Sequence, residues 1–287
     1  MTILKVFGEA QYFGDDEVYL YATNSIEKMT SQIRQDLNKL NKWFKDNQMK
    51  LNLSKTQFII FESNKRLVPS IDEFTEIEVD RAIVQRVTKM KYLGLILDSK
   101  LNWAEHVNSV KMKLLPLIFS IYKTRKYIPR NGLWQIYNSY FLSHIQYLVT
   151  IWGVASATRI NGIQRLQNRI IKTILFLPNL TPSSTLYGSR LDIKQIIEYR
   201  TLLHVYKIAN NLIKHNLTLV RYGETHFHDT RRGHDFKPQF NRTNRSSNSI
   251  MNRGLNLYNK LPDRVRNEPE FKIFKKRLKD FLLTNAI

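Results

Sequence analysis

The hydrophobic periodicity of the chain changes near residue 100, and this change limits its fold more than any other feature. In residues 1–100, short alternating segments typical of strands surround one amphipathic helical stretch. From residue 101 onward, apolar residues recur at three- and four-residue spacing in almost every segment. The sequence therefore predicts an α+β part followed by an all-helical part. A length of 287 residues agrees with two compact units, because single cores rarely exceed about 250 residues.

The first hundred residues predict a small sheet with one helix. Tyr12-Phe13 ends one alternating segment, Gly14-Asp15-Asp16 is a turn signal, and residues 17–22 alternate again, which predicts a hairpin with an acidic tip. Apolar residues at helical spacing from Ile26 to Asn47 predict an amphipathic helix packed on the sheet. The expected fold class is α+β, with an antiparallel sheet plus a helix. Three further strands are predicted at residues 56–61, 77–87 and 90–97.

The remainder of the chain is predicted to be helical, with one interruption. Residues 222–249 are polar, basic and aperiodic, which indicates a flexible exposed segment. A basic amphipathic helix over 268–283 then closes the chain. The expected regions are 1–100 as the α+β part, 101–221 as the main helical part, 222–249 as the basic segment, and 250–287 as the C-terminal helical end.

The charge distribution separates the same two parts. The chain has 45 Lys and Arg against 24 Asp and Glu, a formal net charge of +21. Residues 1–100 hold 15 basic and 14 acidic side chains, whereas residues 101–287 hold 30 and 10. A strongly basic surface concentrates polyanions, so nucleic acid is the expected partner class of the second part.

Several functional classes are excluded or disfavoured by composition and motifs. The absence of Cys excludes disulfides, thiol nucleophiles and thiolate metal sites. No apolar run approaches the roughly 18 residues of a membrane span, and no signal peptide is evident, so an intracellular protein without a membrane partner is expected, with nucleus or cytoplasm undetermined. No phosphate-binding Walker loop, nucleophile elbow or dinucleotide fingerprint is present.

Asp15 and Asp16 are the first candidate for chemistry. They are adjacent at a tight turn flanked by aromatic residues, where carboxylate oxygens are suitable ligands for Mg²⁺. Taken alone, an acidic hairpin tip is also ordinary turn chemistry. The two interpretations remain open until the rest of the chain is considered.

Four elements follow one another along the first part of the chain. They are Tyr12-Phe13-Gly14-Asp15-Asp16, then Trp43-Phe44, then Leu51-Asn52 with Lys55-Thr56, and then Tyr92-Leu93-Gly94 with Asp98 and Trp103. This succession resembles the second half of the reverse transcriptase of jockey-like non-LTR retrotransposons, transposable elements of animals. Trp152-Gly153, the run Ile163–Arg169 and the elements between Arg253 and Pro262 extend the resemblance over nearly the whole chain. The resemblance implies the C-terminal half of a polymerase palm, followed by a basic, all-helical thumb-like region and the segment after it.

The resemblance also implies roles for individual residues. Asp15 and Asp16 correspond to the catalytic metal-binding pair, with Mg²⁺ (or Mn²⁺) as the cofactor. Asn52 and Lys55 lie beside the nucleotide in that family, and Lys55 corresponds to a proton donor for the leaving pyrophosphate. Tyr92, Leu93 and Gly94 correspond to a hairpin that supports the primer end. The implied partners are an RNA template and a DNA primer.

Simpler interpretations accompany these roles. Lys55 taken alone is a solvated lysine at a strand entrance, and Tyr92-Leu93-Gly94 is equally well explained as strand core with a glycine bulge. Arg165, Arg169 and Lys172 share one helix face that meets either phosphate or water. Arg231 and Arg232 are interpreted as a flexible arm that contacts phosphate.

The implied activity is RNA-templated DNA synthesis by a nucleotidyltransferase that uses two-metal phosphoryl transfer. In the family, the fingers and a first palm strand with another metal-binding aspartate precede the segment that this sequence resembles. We therefore expect a truncated polymerase that is inactive alone, with the N-terminal half of the polymerase as a further partner. The alternative is a non-catalytic nucleic-acid-binding protein derived from a retroelement.

Overall fold

A computed structural model shows the chain as two compact units, Met1–His106 and Val107–Ile287. The first unit combines strands and helix, and the second is built from helices, which confirms the predicted α+β class. The structure describes residues 2–3, 10–13, 16–21, 26–49, 52, 55–61, 75–79, 82–215, 217–225, 233–239 and 244–284.

The first unit contains a six-stranded mixed sheet. The strands are β1 (Thr2–Ile3), β2 (Ala10–Phe13), β3 (Asp16–Tyr19), β4 (Gln57–Phe58), β5 (Glu76–Val79) and β6 (Ala82–Arg86). Their order across the sheet is β2-β3-β1-β4-β6-β5. The predicted antiparallel pairing is present in the hairpins β2–β3 and β5–β6, whereas β1 pairs in parallel with β3 and β4, and β4 in parallel with β6.

Helix α1 (Ile26–Asp46) covers one face of this sheet, as its periodicity predicted. Ile33 and Leu37, four residues apart and therefore on one helix face, pack against Phe58 and other apolar strand residues. The Tyr21 hydroxyl donates a hydrogen bond of 2.9 Å to the Asp36 carboxylate, which ties the chain after β3 to the helix. Burial, together with that carboxylate, raises the pKa of Tyr21.

The segment predicted as one strand over 77–87 is the hairpin β5–β6. In a single strand, Ile77 and Val84 would face opposite sides of the sheet, because they are seven residues apart. Folding back pairs Ile77 directly with Val84, and both side chains are fully buried at 0% exposure. Burial of both residues on the helix-covered face therefore requires two strands. The strand predicted over 56–61 is shorter than expected and forms only β4.

The segment predicted as one strand over 90–97 is also a hairpin, formed by β7 (Lys89–Tyr92) and β8 (Leu95–Asp98). Its two-residue turn consists of Leu93 and Gly94, with φ angles of 44° and 81°. Two positive φ angles are what a type I′ turn requires, and this turn matches the twist of paired strands. Leu93 is an unusual residue in this conformation, because its side chain disfavours left-handed backbone.

The loop after β8 is organised by the buried carboxylate of Asp98. It accepts hydrogen bonds from the backbone N–H groups of Lys100, Asn102 and Trp103 at 2.9 to 3.1 Å. The side chain of Asn102 in turn accepts from the N–H of Ala104 at 2.9 Å, where helix α2 (Ala104–Thr124) begins. The motif residues Asp98 and Trp103 therefore shape the entry into α2.

The second unit is centred on helix α7 (Ile193–Ala209), which is buried on several sides. Asp192 and Gln195 form a capping box that fixes its start. The other helices are α2 (Ala104–Thr124), α3 (Arg130–Ile136), α4 (Ser143–Gln146), α5 (Val149–Trp152), α6 (Ala157–Ile174), α8 (Tyr222–Thr225), α9 (Asn244–Ser247), α10 (Leu255–Asn259), α11 (Asp263–Arg266) and α12 (Phe271–Thr284), with π-helical turns at Tyr137–Leu142 and Ile250–Gly254.

Part of the segment predicted to be flexible and exposed, 222–249, is attached to the helical core. Phe236 is only 5% exposed and packs with the residues of α7, α10 and α12. The amide of Asn259 accepts from the Phe236 N–H at 3.0 Å and donates to the Phe236 carbonyl at 2.7 Å. One asparagine thus replaces a neighbouring strand for this stretch of backbone.

Two glycines allow other backbones to approach α7 closely. A Cβ atom on Gly153 would lie 2.4 Å from the Val149 carbonyl and 2.9 Å from Ile197 of α7. A Cβ atom on Gly254 would lie 2.9 Å from Val205 of the same helix. Both glycines belong to the motifs noted in the sequence, and their role in this unit is to permit packing.

We predict that Gly153→Ala destabilises the chain by about 2 kcal/mol, because the added methyl group overlaps backbone that has no room to move. Gly162→Ala in α6 is the matched control. There the Cβ atom would meet only the flexible end of Lys111, at 3.4 Å or more, and alanine favours the helix. Chemical denaturation followed by circular dichroism measures both variants. Equal midpoints for Gly153→Ala and the wild type would contradict the packing role.

Candidate functional site

The hairpin that carries the aspartate pair consists of β2 and β3, the first two strands across the six-stranded sheet. Asp16 is the first residue of β3 and pairs with Phe13 across the hairpin, whereas Asp15 lies outside the described residues. Thr2 of β1 pairs with Val18 on one side and with Gln57 on the other. Strands β3 and β4 both run parallel to β1. The residues that precede Val18 in β3 and those that precede Gln57 in β4 therefore lie at the same end of the strands.

Lys55 occurs at that end, two residues before Gln57, as Asp16 occurs two residues before Val18. Adjacent strands are about 4.8 Å apart, so the backbones of β3 and β4 are separated by roughly 10 Å. The topology therefore brings the hairpin with the aspartate pair and the entrance of β4 to one edge, with only β1 between them.

Asn52 and Lys55 form a turn that leads into β4. The N–H of Lys55 donates to the Asn52 carbonyl at 3.1 Å and approaches its side-chain oxygen at 3.3 Å. The hydroxyl of the buried Thr56 also donates to the Asn52 carbonyl, at 2.9 Å. The side chain of Lys55 is exposed. Asn52 thus holds the turn, and its predicted place beside the nucleotide stays a prediction.

The donor chemistry at the hairpin tip fits a divalent cation. Adjacent carboxylates supply the hard oxygen ligands that Mg²⁺ and Mn²⁺ prefer. Within the described ranges, no cluster of three or more His, Asp or Glu side chains forms a metal site. Asp15 and Asp16 are the candidate metal ligands because they are carboxylates adjacent in the sequence.

The predicted substrate-binding residues Tyr92, Leu93 and Gly94 occupy the tip of the β7–β8 hairpin, which is a sheet of its own. The hairpin is present as the resemblance implied, and Gly94 takes part in its turn rather than in a bulge. Within the part of the chain that the structure describes, strand pairing does not join this hairpin to the edge that holds Asp16 and Lys55.

Helix α6 carries the predicted phosphate-contacting residues on one face. Arg165 and Arg169 are exposed. Lys172 is half-buried, and its ammonium donates a hydrogen bond of 2.6 Å to the carbonyl of Asn179. Two of the three side chains thus face solvent, while the third helps to hold the loop after the helix. Arg231 and Arg232 lie outside the described residues.

The amide side chains of the same helix have a structural role. Gln167 donates to the Tyr137 hydroxyl and to the Leu191 carbonyl, each at 3.0 Å. The side-chain oxygen of Gln164 accepts from the Ile193 N–H at 2.9 Å, at the start of α7. Burial raises the pKa of Tyr137 to about 12, which keeps its hydroxyl protonated as a hydrogen-bonding group. These amides therefore join α6 to the chain that enters α7.

A long stretch without acidic residues is a feature that the sequence predictions did not use. Residues 106–191 contain eleven Lys and Arg and no Asp or Glu. All of these residues are described, and they include α6, nearly all of α2, and the helices between them. The absence of acidic side chains is visible in the sequence, and it makes this stretch a candidate surface for a polyanion. Among the described residues no helix is both long and apolar enough to cross a bilayer.

The chain is similar to polymerases of insect transposable elements. Over 215 residues it is 26% identical to a probable RNA-directed DNA polymerase from transposon BS of Drosophila melanogaster, a match that covers 73% of this chain and 23% of that protein. It is 23% identical over 165 residues to the corresponding protein from the X-element, covering 56% and 18% of the two chains. It is also 22% identical over 171 residues to the RNA-directed DNA polymerase from mobile element jockey of Drosophila melanogaster, a match that covers 58% of this chain and 18% of that protein.

The chain spans about a fifth of the length of these curated relatives. No protein-family model matches the chain. No solved structure matches it either. The similarity confirms the resemblance seen in the motifs, since more than half of the chain is similar to RNA-directed DNA polymerases of Drosophila transposable elements.

Proposed function

We propose that the chain is part of a retrotransposon RNA-directed DNA polymerase and contributes its metal-binding hairpin and a nucleic-acid-binding helical unit. The observation that carries this proposal is the sheet edge shared by Asp16 and Lys55. A phosphoryl-transfer site needs carboxylates for metal and a cation for phosphate charge on neighbouring elements. The parallel pairing of β1 with both β3 and β4 supports that arrangement.

In this proposal, Asp15 and Asp16 hold Mg²⁺, or Mn²⁺ in its place. The bound metal supplies activation of the primer 3′-hydroxyl and neutralisation of charge on the leaving pyrophosphate. The exposed ammonium of Lys55 attracts the triphosphate and donates a proton to the pyrophosphate as it leaves. Asn52 fixes the turn that presents Lys55, and the hairpin tip formed by Tyr92, Leu93 and Gly94 supports the primer end.

The second unit binds the RNA template and the DNA primer through its basic surface. The stretch 106–191 lacks acidic side chains, so its field attracts phosphate along the whole stretch. Arg165 and Arg169 are exposed on one face of α6 and are the first candidates for phosphate contact. Arg231 and Arg232 are proposed to add contacts from the 222–249 segment.

A second candidate function is nucleic-acid binding without catalysis, in a protein derived from a retroelement. The observation in its favour is that the basic surface lies in the helical unit, whereas the aspartate hairpin belongs to the other unit. Binding therefore does not require a working catalytic site. Measurements of metal binding and of primer extension distinguish the polymerase function from nucleic-acid binding without catalysis.

We predict that the chain binds Mn²⁺ with a dissociation constant on the order of millimolar, because two carboxylates complete only part of an octahedral ligand set. The double variant Asp15→Asn, Asp16→Asn removes both charges and keeps the shape of the turn. Its Mn²⁺ binding, followed by loss of the free-ion signal in electron paramagnetic resonance, should fall below detection. Asp46→Asn at the end of α1 is the control and should bind as the wild type does. Equal binding by all three proteins would exclude the hairpin as the metal site.

We predict that the purified 287-residue chain does not extend a DNA primer on an RNA template with Mg²⁺ and nucleoside triphosphates. Two-metal transfer needs carboxylates from more than one strand, and the resemblance assigns a further aspartate to a segment other than this one. A gel assay of primer length measures the outcome against Asp15→Asn, Asp16→Asn. Extension that is lost in that variant would show that other residues of this chain complete the site.

We predict that nucleic-acid binding is strongly salt-dependent and that Arg165 and Arg169 contribute to the dependence. Replacing both by Gln should lower the slope of log affinity against log salt by about two, since each phosphate contact adds about one to the slope. The double variant Lys39→Gln, Lys42→Gln on the exposed face of α1 is the control, because that unit is almost neutral. Fluorescence anisotropy with an RNA–DNA hybrid across a salt series gives the slopes. Equal slopes for the two double variants would show that Arg165 and Arg169 of α6 do not contact the nucleic acid.

A further inference from the structure

Three aromatic side chains are exposed where the C-terminal part of α2 meets the end of α6. Phe119 and Tyr122 on α2 are each 58% exposed, and Phe176, just after α6, is 49% exposed. Aromatic rings are the side chains that contribute most to a core, so three of them at one place on the surface need an explanation. We call this group, together with Lys123 and Arg125, the aromatic–basic platform.

Cations hold the rings of the platform in place. The Lys123 ammonium lies 4.5 Å from the centre of the Phe119 ring. The Arg125 guanidinium lies 4.7 Å from the Tyr122 ring and 4.8 Å from the Phe176 ring, so it contacts both. These distances are within the range of cation–π attraction.

The guanidinium is itself fixed by the protein. An Arg125 N–H group donates a hydrogen bond of 3.2 Å to the carbonyl of Thr173 in α6. This bond connects the two helices and keeps Arg125 between the rings contributed by each of them. Arg125 therefore has a defined position between Tyr122 and Phe176.

The backbone of Phe176 forms the end of helix α6. Its φ angle is 58°, in the left-handed region that bulky residues rarely adopt. The turn is closed by a hydrogen bond of 2.9 Å from the Leu177 N–H to the Lys172 carbonyl. This is the Schellman arrangement that commonly ends a helix, and it positions the Phe176 ring next to Arg125.

The ligand chemistry follows from the combination of rings and charge. The platform lies within residues 106–191, which contain no acidic side chain, so it favours a polyanion. A polyanion that also offers flat aromatic faces is nucleic acid with unpaired bases. A duplex conceals those faces in its own stack, whereas a single strand exposes them for stacking on protein rings.

We propose that the aromatic–basic platform binds single-stranded nucleic acid, with bases stacked on Phe119, Tyr122 and Phe176 and phosphates neutralised by Lys123 and Arg125. This inference rests on the proposed nucleic-acid binding of the helical unit and specifies a strand form and a site for it. It does not depend on polymerase activity. The shared chemistry covers single-stranded RNA and DNA alike.

The test uses the full chain and the double variant Phe119→Leu, Tyr122→Leu, which removes two rings and leaves both cations. Both side chains are exposed, so the fold should tolerate leucine. Tyr122→Phe retains the ring and should bind as the wild type does. Tyr140→Leu is the matched control, because Tyr140 is exposed within the same acid-free stretch and outside the platform.

Fluorescence anisotropy compares four probes: single-stranded RNA, single-stranded DNA, an abasic single strand of the same length, and a duplex. We expect the double variant to lose about tenfold or more in affinity for the two single strands that carry bases. Its affinity for the abasic strand and the duplex should change less than twofold, and its salt slope should equal that of the wild type, because no cation is removed.

Two results would contradict single-strand binding by the aromatic–basic platform and would leave the proposed nucleic-acid binding of the helical unit intact. One is unchanged binding of single strands by the double variant. The other is an equal loss on all four probes. A wild-type chain that binds none of the probes would overturn the proposed function and this inference together. Sedimentation that shows self-association of the wild type, abolished in the double variant without any effect on single-strand binding, would assign the platform to a second copy of the chain instead.

Discussion

Helix α7 is buried along most of its length, and the helical unit depends on how closely other backbones approach it. Gly153 and Gly254 permit two of these approaches, since neither position has room for a Cβ atom. The Tyr206 hydroxyl donates to the carbonyls of Glu268 and Pro269, which connects α7 to the chain before α12. Dense packing of this kind leaves little freedom for volume changes, so the motif residues Gly153 and Gly254 serve the packing of this unit.

In the first unit, the position of the candidate site depends on two short parallel strand pairings. Strand β1 is hydrogen-bonded on one side to β3 and on the other to β4. These pairings place Asp16 and Lys55 at a common sheet end, although they are 39 residues apart in the sequence. The proposed chemistry therefore depends on a two-residue strand that contributes none of the candidate catalytic side chains.

Patterns within one short segment of the sequence correctly predicted the elements that form from that segment alone. The hairpin before Val18 and helix α1 follow from alternation, turn residues and helical spacing within one segment. Residue pattern alone predicted single strands at 77–87 and 90–97, because a run of β-forming residues does not show where the chain reverses; the resemblance had implied the second hairpin. Pairing of Ile77 with Val84 decided one reversal, and positive φ angles at Leu93 and Gly94 made the other possible. The predicted region boundaries at 100, 221 and 249 stay predictions.

The sequence alone determined the charge contrast between the two parts, the hairpin that carries Asp15 and Asp16, and the resemblance that named a polymerase family. These properties depend on residue type and on spacing along the chain. Only the tertiary structure decided that Lys55 shares an edge with that hairpin, and that Arg125 lies between Tyr122 and Phe176. Parallel strand pairing and contacts between distant helices join residues tens of positions apart, and no local periodicity encodes which distant segments will meet.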